Sequence, residues 1–209
     1  MKKQILLLMT IMVALYAPLF AQKARFGIQA GPTVSNMVIK FDNVKLNTDL
    51  KLGFTAGFLA DIPLNDHFHF QPAVNFVQKG SLNHEDYHKS QATLNYIELP
   101  FNFIYRTQSV KGFFAGIGPS LGIGLSGQTK DEIETETIHF GNNEVEDDLK
   151  RMDFGGNIQI GYMFGNGIQV GINYNKTFSN LFIGENADDA SLKNNYYSLR
   201  VGYLLKSKK

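Results

Sequence analysis

The chain contains no cysteine. A disulfide framework and thiol chemistry are both excluded, so an exported chain of this kind is held by hydrogen bonds and packing alone. Charge is also scarce. Charged residues make up 19% of the sequence, against about a quarter in ordinary soluble domains. The formal net charge is +1, and it falls to −1 once Lys2 and Lys3 are set aside; no basic surplus points to nucleic acid. Beyond the first residues there is no apolar run of the roughly 20 residues that a membrane helix needs. A mature chain of this composition can enter a membrane only as a closed sheet.

The one apolar run lies at the start. Lys2 and Lys3 precede an apolar stretch from Ile5 to Leu15, and Ala21 is a suitable last residue before cleavage, the anatomy of an export signal. Leu19, at the −3 position, is bulkier than the small residue preferred there. The reading is a signal peptide over residues 1–21 and one domain over 22–209, a length that suits a single domain.

Period-two alternation is what the sequence has in abundance. In Met152 to Phe178, Phe154, Ile158, Ile160 and Tyr162 share one parity, and Asp153, Gly155, Asn157 and Gln159 share the other. Gly165-Asn166-Gly167 then separates this run from a second, in which Ile168, Val170, Ile172 and Tyr174 alternate with Gln169, Gly171, Asn173 and Asn175. Two alternating runs around such a tripeptide predict a β-hairpin. The polar parity carries little charge. Gly, Asn and Gln are poor residues for a solvated strand face but suit a narrow polar interior.

The same pattern predicts strands near 25–38, 51–62, 68–76, 92–106, 112–126, the hairpin just described, and 194–206, with Pro72 marking a bulge. The connections run long, short, long, short, long, short, long. Outer-membrane barrels show this order, with short periplasmic turns and long outer loops. The expected fold is all-β: an eight-stranded antiparallel up-and-down transmembrane β-barrel. A soluble periplasmic barrel of lipocalin type, with the apolar face inward around a ligand, is the competing architecture. It calls for Lys, Glu and Asp on the polar parity, where this chain has Gly, Asn, Gln and Ser.

The strands FGIQAGPTVS, YIELPFNFIYR, GFFAGIGPSLGIG and YYSLRVGYLLK resemble those of the porin-family outer-membrane β-barrel proteins of Bacteroidetes-type bacteria, a group that includes PorT-like proteins. The resemblance covers Arg25 to Leu205. It implies an outer-membrane location, contact with outer-membrane lipids and lipopolysaccharide, insertion by the barrel assembly machinery and, for the PorT-like branch, a link to type IX protein secretion. Such barrels often end on an aromatic residue, whereas this chain continues past Leu205 through Lys206, Ser207, Lys208 and Lys209.

Five charged residues fall on the inward parity: Asp61, Glu98, Arg106, Asp153 and Arg200. A barrel of eight strands is just wide enough to be filled by side chains, so these five are expected to form a buried polar network rather than line an ion path. Two further clusters lie in connections. His84 and His88 flank Glu85 and Asp86, but no helix aligns the rings and no third ligand is fixed, so a solvated loop is the reading and no metal is expected. His84 with Ser81 lacks an acid partner and an oxyanion feature, so no catalytic centre is assigned. The acidic stretch 127–150 lacks the spacing of a calcium loop, and Ile133, Ile138, Phe140 and Val145 within it suggest an ordered hairpin above the membrane. Loops 127–150 and 179–193 are the candidate sites for a protein partner. The expected protein is a monomer with no cofactor, serving a structural, assembly or surface-interaction role; a passive narrow channel for small solutes is the alternative.

A closed barrel resists SDS until heated. The membrane fraction should therefore give bands of different mobility when boiled and unboiled. A protein recovered from the soluble periplasm with no mobility shift would require the apolar parity to face inward.

Overall fold

Alternation of apolar residues with small polar ones produces strands wherever it occurs. The computed structural model describes residues 24–41, 44–85, 88–143, 146–183 and 190–205, with the side chains at 84, 85 and 88 left aside. The expected export signal and the last four residues lie outside this set. Twelve strands follow in order: β1 (Arg25–Phe41), β2 (Val44–Asn47), β3 (Lys51–Pro63), β4 (Phe68–Glu85), β5 (His88–Arg106), β6 (Gly112–Lys130), β7 (Thr135–Ile138), β8 (Phe140–Gly141), β9 (Leu149–Lys150), β10 (Met152–Met163), β11 (Ile168–Thr177) and β12 (Ala190–Leu204).

Eight of these close into a ring. β1, β3, β4, β5, β6, β10, β11 and β12 pair antiparallel in that order, and β12 returns to β1 with Gly27 opposite Leu204 and Phe41 opposite Ala190. Closure removes the sheet edge and pairs the backbone within the ring, as a spanning sheet requires. The first and last strands begin and end beside the three short turns; Leu205 N–H donates to the Phe26 carbonyl. In the third turn Gly167 sits at φ 95°, a conformation that L side chains rarely adopt.

The apolar parity points outward. Phe26, Ile28, Phe54, Phe58, Phe103, Phe113, Ile117, Ile160 and Val201 are all exposed, while Gln29, Thr33, Asn75, Asn102, Asn157 and Asn173 are buried inside. This overturns the lipocalin alternative, which needs the opposite orientation.

The outer surface carries its own ruler. On β5 the outward apolar run extends from Tyr105 up to Ile97, the roughly nine residues a tilted strand needs to cross. Above it Gln78, Asn95 and Ser126 lie side by side on β4, β5 and β6, with Gln78 donating to Asn95 at 3.2 Å and Asn95 to Ser126 at 3.0 Å. Across the barrel Lys176, Asn195 and Asn36 hold the same level on β11, β12 and β1. Aromatic rings mark both borders of the apolar band. Phe68–Tyr105, Phe113–Tyr162 and Tyr162–Phe164 pair at 5.4, 5.0 and 4.9 Å near the short turns. Tyr174 and Tyr197 stack at 4.6 Å one step below Lys176 and Asn195. These are interfacial girdles; Tyr96, by contrast, lies inside.

Several strands run beyond their expected ends. The stretch 80–91, read as a polar connection, is the continuation of the β4–β5 hairpin to the pair Glu85 and His88. Likewise β6 runs on to Lys130 and pairs with β7. Above the membrane both faces of a strand meet water, so alternation fades although the backbone still pairs. Pro72 causes no bulge: the β4–β5 register is the same on both sides of it. The irregularity lies at Leu125, where the β5–β6 register shifts between Asn95 and Tyr96.

An arginine at mid-depth on the lipid face costs a transmembrane barrel about 2–4 kcal/mol and one near the interface about 0–1 kcal/mol. Ile172→Arg should therefore lose stability in urea titrations in lipid vesicles by the larger amount, and Asn95→Arg by the smaller. Equal losses would mean that the polar level at Gln78, Asn95 and Ser126 does not mark the membrane border.

Candidate functional site

The lumen is built in layers. β6 and β10 turn glycines inward at Gly116, Gly118, Gly122, Gly124, Gly155 and Gly161. This thin wall leaves room for long side chains from β4, β5 and β12.

At the end beside the short turns sits a carboxylate held by two guanidinium groups. Asp61 lies 3.1 Å from Arg106 Nη2 and 2.6 Å from Arg25 Nη2, and Arg106 Nη1 reaches its second oxygen at 3.4 Å. Arg106 Nη1 also lies 3.4 Å from His69 Nε2. That contact leaves Nδ1, 3.3 Å from Asp61, as the ring nitrogen that carries hydrogen. Leu59, Ile104, Phe114, Met163 and Leu204 pack around this cluster.

The middle layer is made of amides. Gln29 donates to Asn75 at 2.8 Å, Asn157 to Asn102 at 3.0 Å and Gln159 to Gln71 at 3.3 Å. The cavity here, lined by Gln29, Phe114, Gln159, Gln169, Asn173 and Arg200, measures about 10 Å³, room for a single water.

A second ionic cluster lies higher. Lys79 Nζ, with its side chain 1% exposed, sits 3.2 Å from both Glu98 and Asp153. It also lies 4.8 and 5.2 Å from the centroids of the Tyr96 and Tyr196 rings, so the ammonium is held by two carboxylates and two π faces. The Tyr196 hydroxyl donates to Glu98 and accepts from Arg200 Nη2 at 2.9 Å. Ser179 donates to Asp153 at 3.2 Å.

Above this cluster the outer connections close the barrel. Phe140 meets Tyr96 edge-on at 5.4 Å and joins Met37, Leu94, Leu149, Leu181 and Leu192 in a buried apolar cap. Gly124 permits this closure, because a Cβ there would stand 2.5 Å from the Phe140 ring. Leu181 is tied on both sides, donating to the Leu192 carbonyl and accepting from the Lys150 amide.

The five inward charges do not meet as one network. Asp61 and Arg106 belong to the lower cluster. Glu98 and Asp153 belong to the upper one and are joined through Lys79, while Arg200 reaches Glu98 only through the Tyr196 hydroxyl. Lys79, Tyr196, His69 and Arg25 are the members that sequence reasoning missed. Carrying the inward parity of Gln71 and Asn75 one step past Val77 would have reached Lys79, and carrying that of Arg200 and Ser198 back one step would have reached Tyr196.

The acidic stretch 127–150 spends several of its carboxylates on its own backbone. Asp131 accepts from the amides of Ile133 and Glu134 at 2.8 Å each and so forms the tip of the β6–β7 hairpin. Asp148 caps the His139 amide at 2.7 Å and Asp147 the Asn143 amide at 2.9 Å. The side chains of His84 and His88 lie outside the described residues. Ser81 faces the interior.

The outer membrane protein beta-barrel domain family matches residues 20–183. Among solved structures the fold is similar to that of Ail, the attachment invasion locus protein of Yersinia pestis, at 15% identity, with 88% of this chain and 99% of that one covered and a TM-score of 0.45. OprG from Pseudomonas aeruginosa matches at 13% identity over 87% and 96% of the two chains, with a TM-score of 0.48. Neisserial surface protein A matches at 12% identity over 85% and 96%, with a TM-score of 0.43. A comparison with curated proteins finds no match.

Removing one partner from a buried ion pair strands the other and costs about 3–5 kcal/mol. Lys79→Met leaves two buried carboxylates facing each other and should cost that much in a detergent unfolding titration. Glu98→Leu should cost less, because Lys79 keeps Asp153. Losses no larger than for a lipid-facing Val→Ala control would show that the upper cluster does not contribute to stability.

Proposed function

This chain belongs to the outer membrane protein beta-barrel domain family, and we propose that in the bacterial outer membrane it acts as a sealed, non-catalytic barrel whose work is done by its outer hairpins. The observation that carries this reading is the filled lumen. An ionic cluster packed among apolar side chains closes one end, an apolar cap closes the other, and the amide layer between them holds a cavity of only about 10 Å³. A solute path needs continuous space, and each cluster crosses the lumen from strand to strand.

The hairpins that rise above the polar level support the surface role. β4 and β5 pair up to Glu85 and His88, and the β6–β7 hairpin presents Ile133 at its tip with 92% of its surface exposed. Paired backbone carries these tips above the headgroup level, where another protein can reach them. Insertion by the barrel assembly machinery and a monomeric state form part of this proposal. The sequence resemblance to PorT-like proteins supports a role in type IX protein secretion as its narrower form, which a secretion assay on a deletion strain separates from the general one.

Planar-bilayer recording on the refolded protein tests the seal. The expected trace shows no stepwise conductance. A steady open level in the wild type would favour the passive channel and would place the ionic clusters along an ion path.

A further inference from the structure

Four lysines project from the lipid-side face of the barrel just above its apolar band. Lys176 on β11 lies at the polar level, opposite Asn195. Lys193 on β12 stands two residues higher, opposite Val38, and Lys40 on β1 two residues higher again, opposite Lys45 of β2. Each shares the outward parity of its strand: Asn36 and Val38 for Lys40, Asn195 and Tyr197 for Lys193, Ile172 and Tyr174 for Lys176. Directly opposed residues on antiparallel strands lie on one face, so Lys45 joins Lys40. Two-residue steps are about 7 Å along a strand, and the patch therefore extends roughly 14 Å along the tilted strands from the membrane border, across four neighbouring strands.

Among the described residues, none of the four lysines has a carboxylate partner. The other half of the barrel is different at this level. There Gln78, Asn95, Ser126, Gln128 and Thr137 face outward, uncharged. Exposed lysines on that half, Lys130 and Lys89, begin only four residues above Ser126 and six above Asn95, whereas Lys176 stands at the polar level itself and Lys193 two residues above it, so charge next to the apolar band lies on one side. Three carboxylates elsewhere on the outer surface, Asp131, Asp147 and Asp148, are bound into turns.

We propose that Lys40, Lys45, Lys176 and Lys193 form a binding site for the phosphate groups of a phosphorylated glycolipid in the outer leaflet, of the lipid A type. The lysines hold the phosphates as point charges, and the apolar strands below, with the Tyr174–Tyr197 pair at the border, receive the acyl chains. The inference rests on the orientation that puts the short turns in the periplasm. It does not rest on the sealed lumen, so its failure would leave the conductance result untouched.

The test is a titration of the refolded barrel, in neutral detergent, with diphosphoryl lipid A, with the same lipid after phosphatase treatment, and with phosphatidylglycerol. Wild type should prefer diphosphoryl lipid A. The variant K40Q/K45Q/K176Q/K193Q should lose about tenfold or more in affinity, since each lysine near an anionic surface contributes measurably, and high salt should weaken the wild type towards it. K89Q/K130Q, on the opposite half where both lysines are exposed, should bind like the wild type. Unchanged heat-modifiability establishes that each variant is folded, and the pair K40Q/K193Q replaces the fourfold variant should that one not fold. The proposal is overturned if the fourfold variant binds as the wild type does, if K89Q/K130Q loses as much, or if dephosphorylated lipid A or phosphatidylglycerol binds equally well.

Discussion

A backbone surrounded by hydrocarbon has nowhere to put an unpaired amide. The rest of this structure depends on that constraint. It forces the sheet to close, and with only eight strands the closed ring is narrow. A narrow ring sets what can lie inside. The side chains facing inward must satisfy one another, because there is no room for bulk water to do so. The inward parity is accordingly rich in glycine on β6, divided between glycine and polar groups on β10, and made of long polar groups on the strands across from them. The arrangement resembles a core turned inside out, polar within and apolar without.

Buried charge is expensive unless it is paired with good geometry, and the lumen meets this condition in two separate places. Asp61 is held by two guanidinium groups and approached by His69. Lys79 is held between two carboxylates and two tyrosine rings. The lower cluster ties the neighbouring strands β1, β3, β4 and β5, and the upper one ties β4 and β5 to β10 and β12, which lie elsewhere in the ring. The neutral amide layer between them keeps the two apart. Such clusters specify which strand faces which across the barrel, a choice that backbone hydrogen bonds alone leave open. The two stacked clusters, not one network, leave no continuous column of charge along the axis.

The legibility of the fold in the sequence has the same origin. Within the membrane the two faces of every strand meet different media, and period two is written plainly, as in Ile158, Ile160 and Tyr162 against Asn157, Gln159 and Gly161. Strand order and inward parity follow from it. Above the membrane both faces meet water, and the pattern in 77–91 dissolves although the backbone remains paired to Glu85 and His88. Lys79 was lost at that transition, and with it the reason Glu98 and Asp153 can lie close together. Pro72 misled for a different reason. A proline is disfavoured inside a sheet because it lacks an N–H, yet this one is accommodated with the register intact, and the bulge falls at Leu125, which has no local sequence marker. No rule of alternation could foresee which carboxylates of 127–150 would cap a neighbouring amide, because that depends on turn geometry.

The outer surface then divides into two kinds of work. The half formed by β4 to β7 meets the headgroup level with amides and hydroxyls that bond to one another, Gln78 to Asn95 to Ser126. These groups are satisfied within the protein and need nothing from the lipid. The half formed by β11, β12, β1 and β2 meets it with lysines that have no carboxylate among the described residues. A cation at the edge of a low-dielectric region interacts more strongly with a nearby anion than the same cation in open water, and the anions within reach there are those of the leaflet. An asymmetry of this kind has no role in closing the sheet or filling the lumen, since both are complete without it. It gives the barrel a preferred side, and a preferred side gives the hairpins above it a fixed orientation toward whatever lies beside them in the membrane.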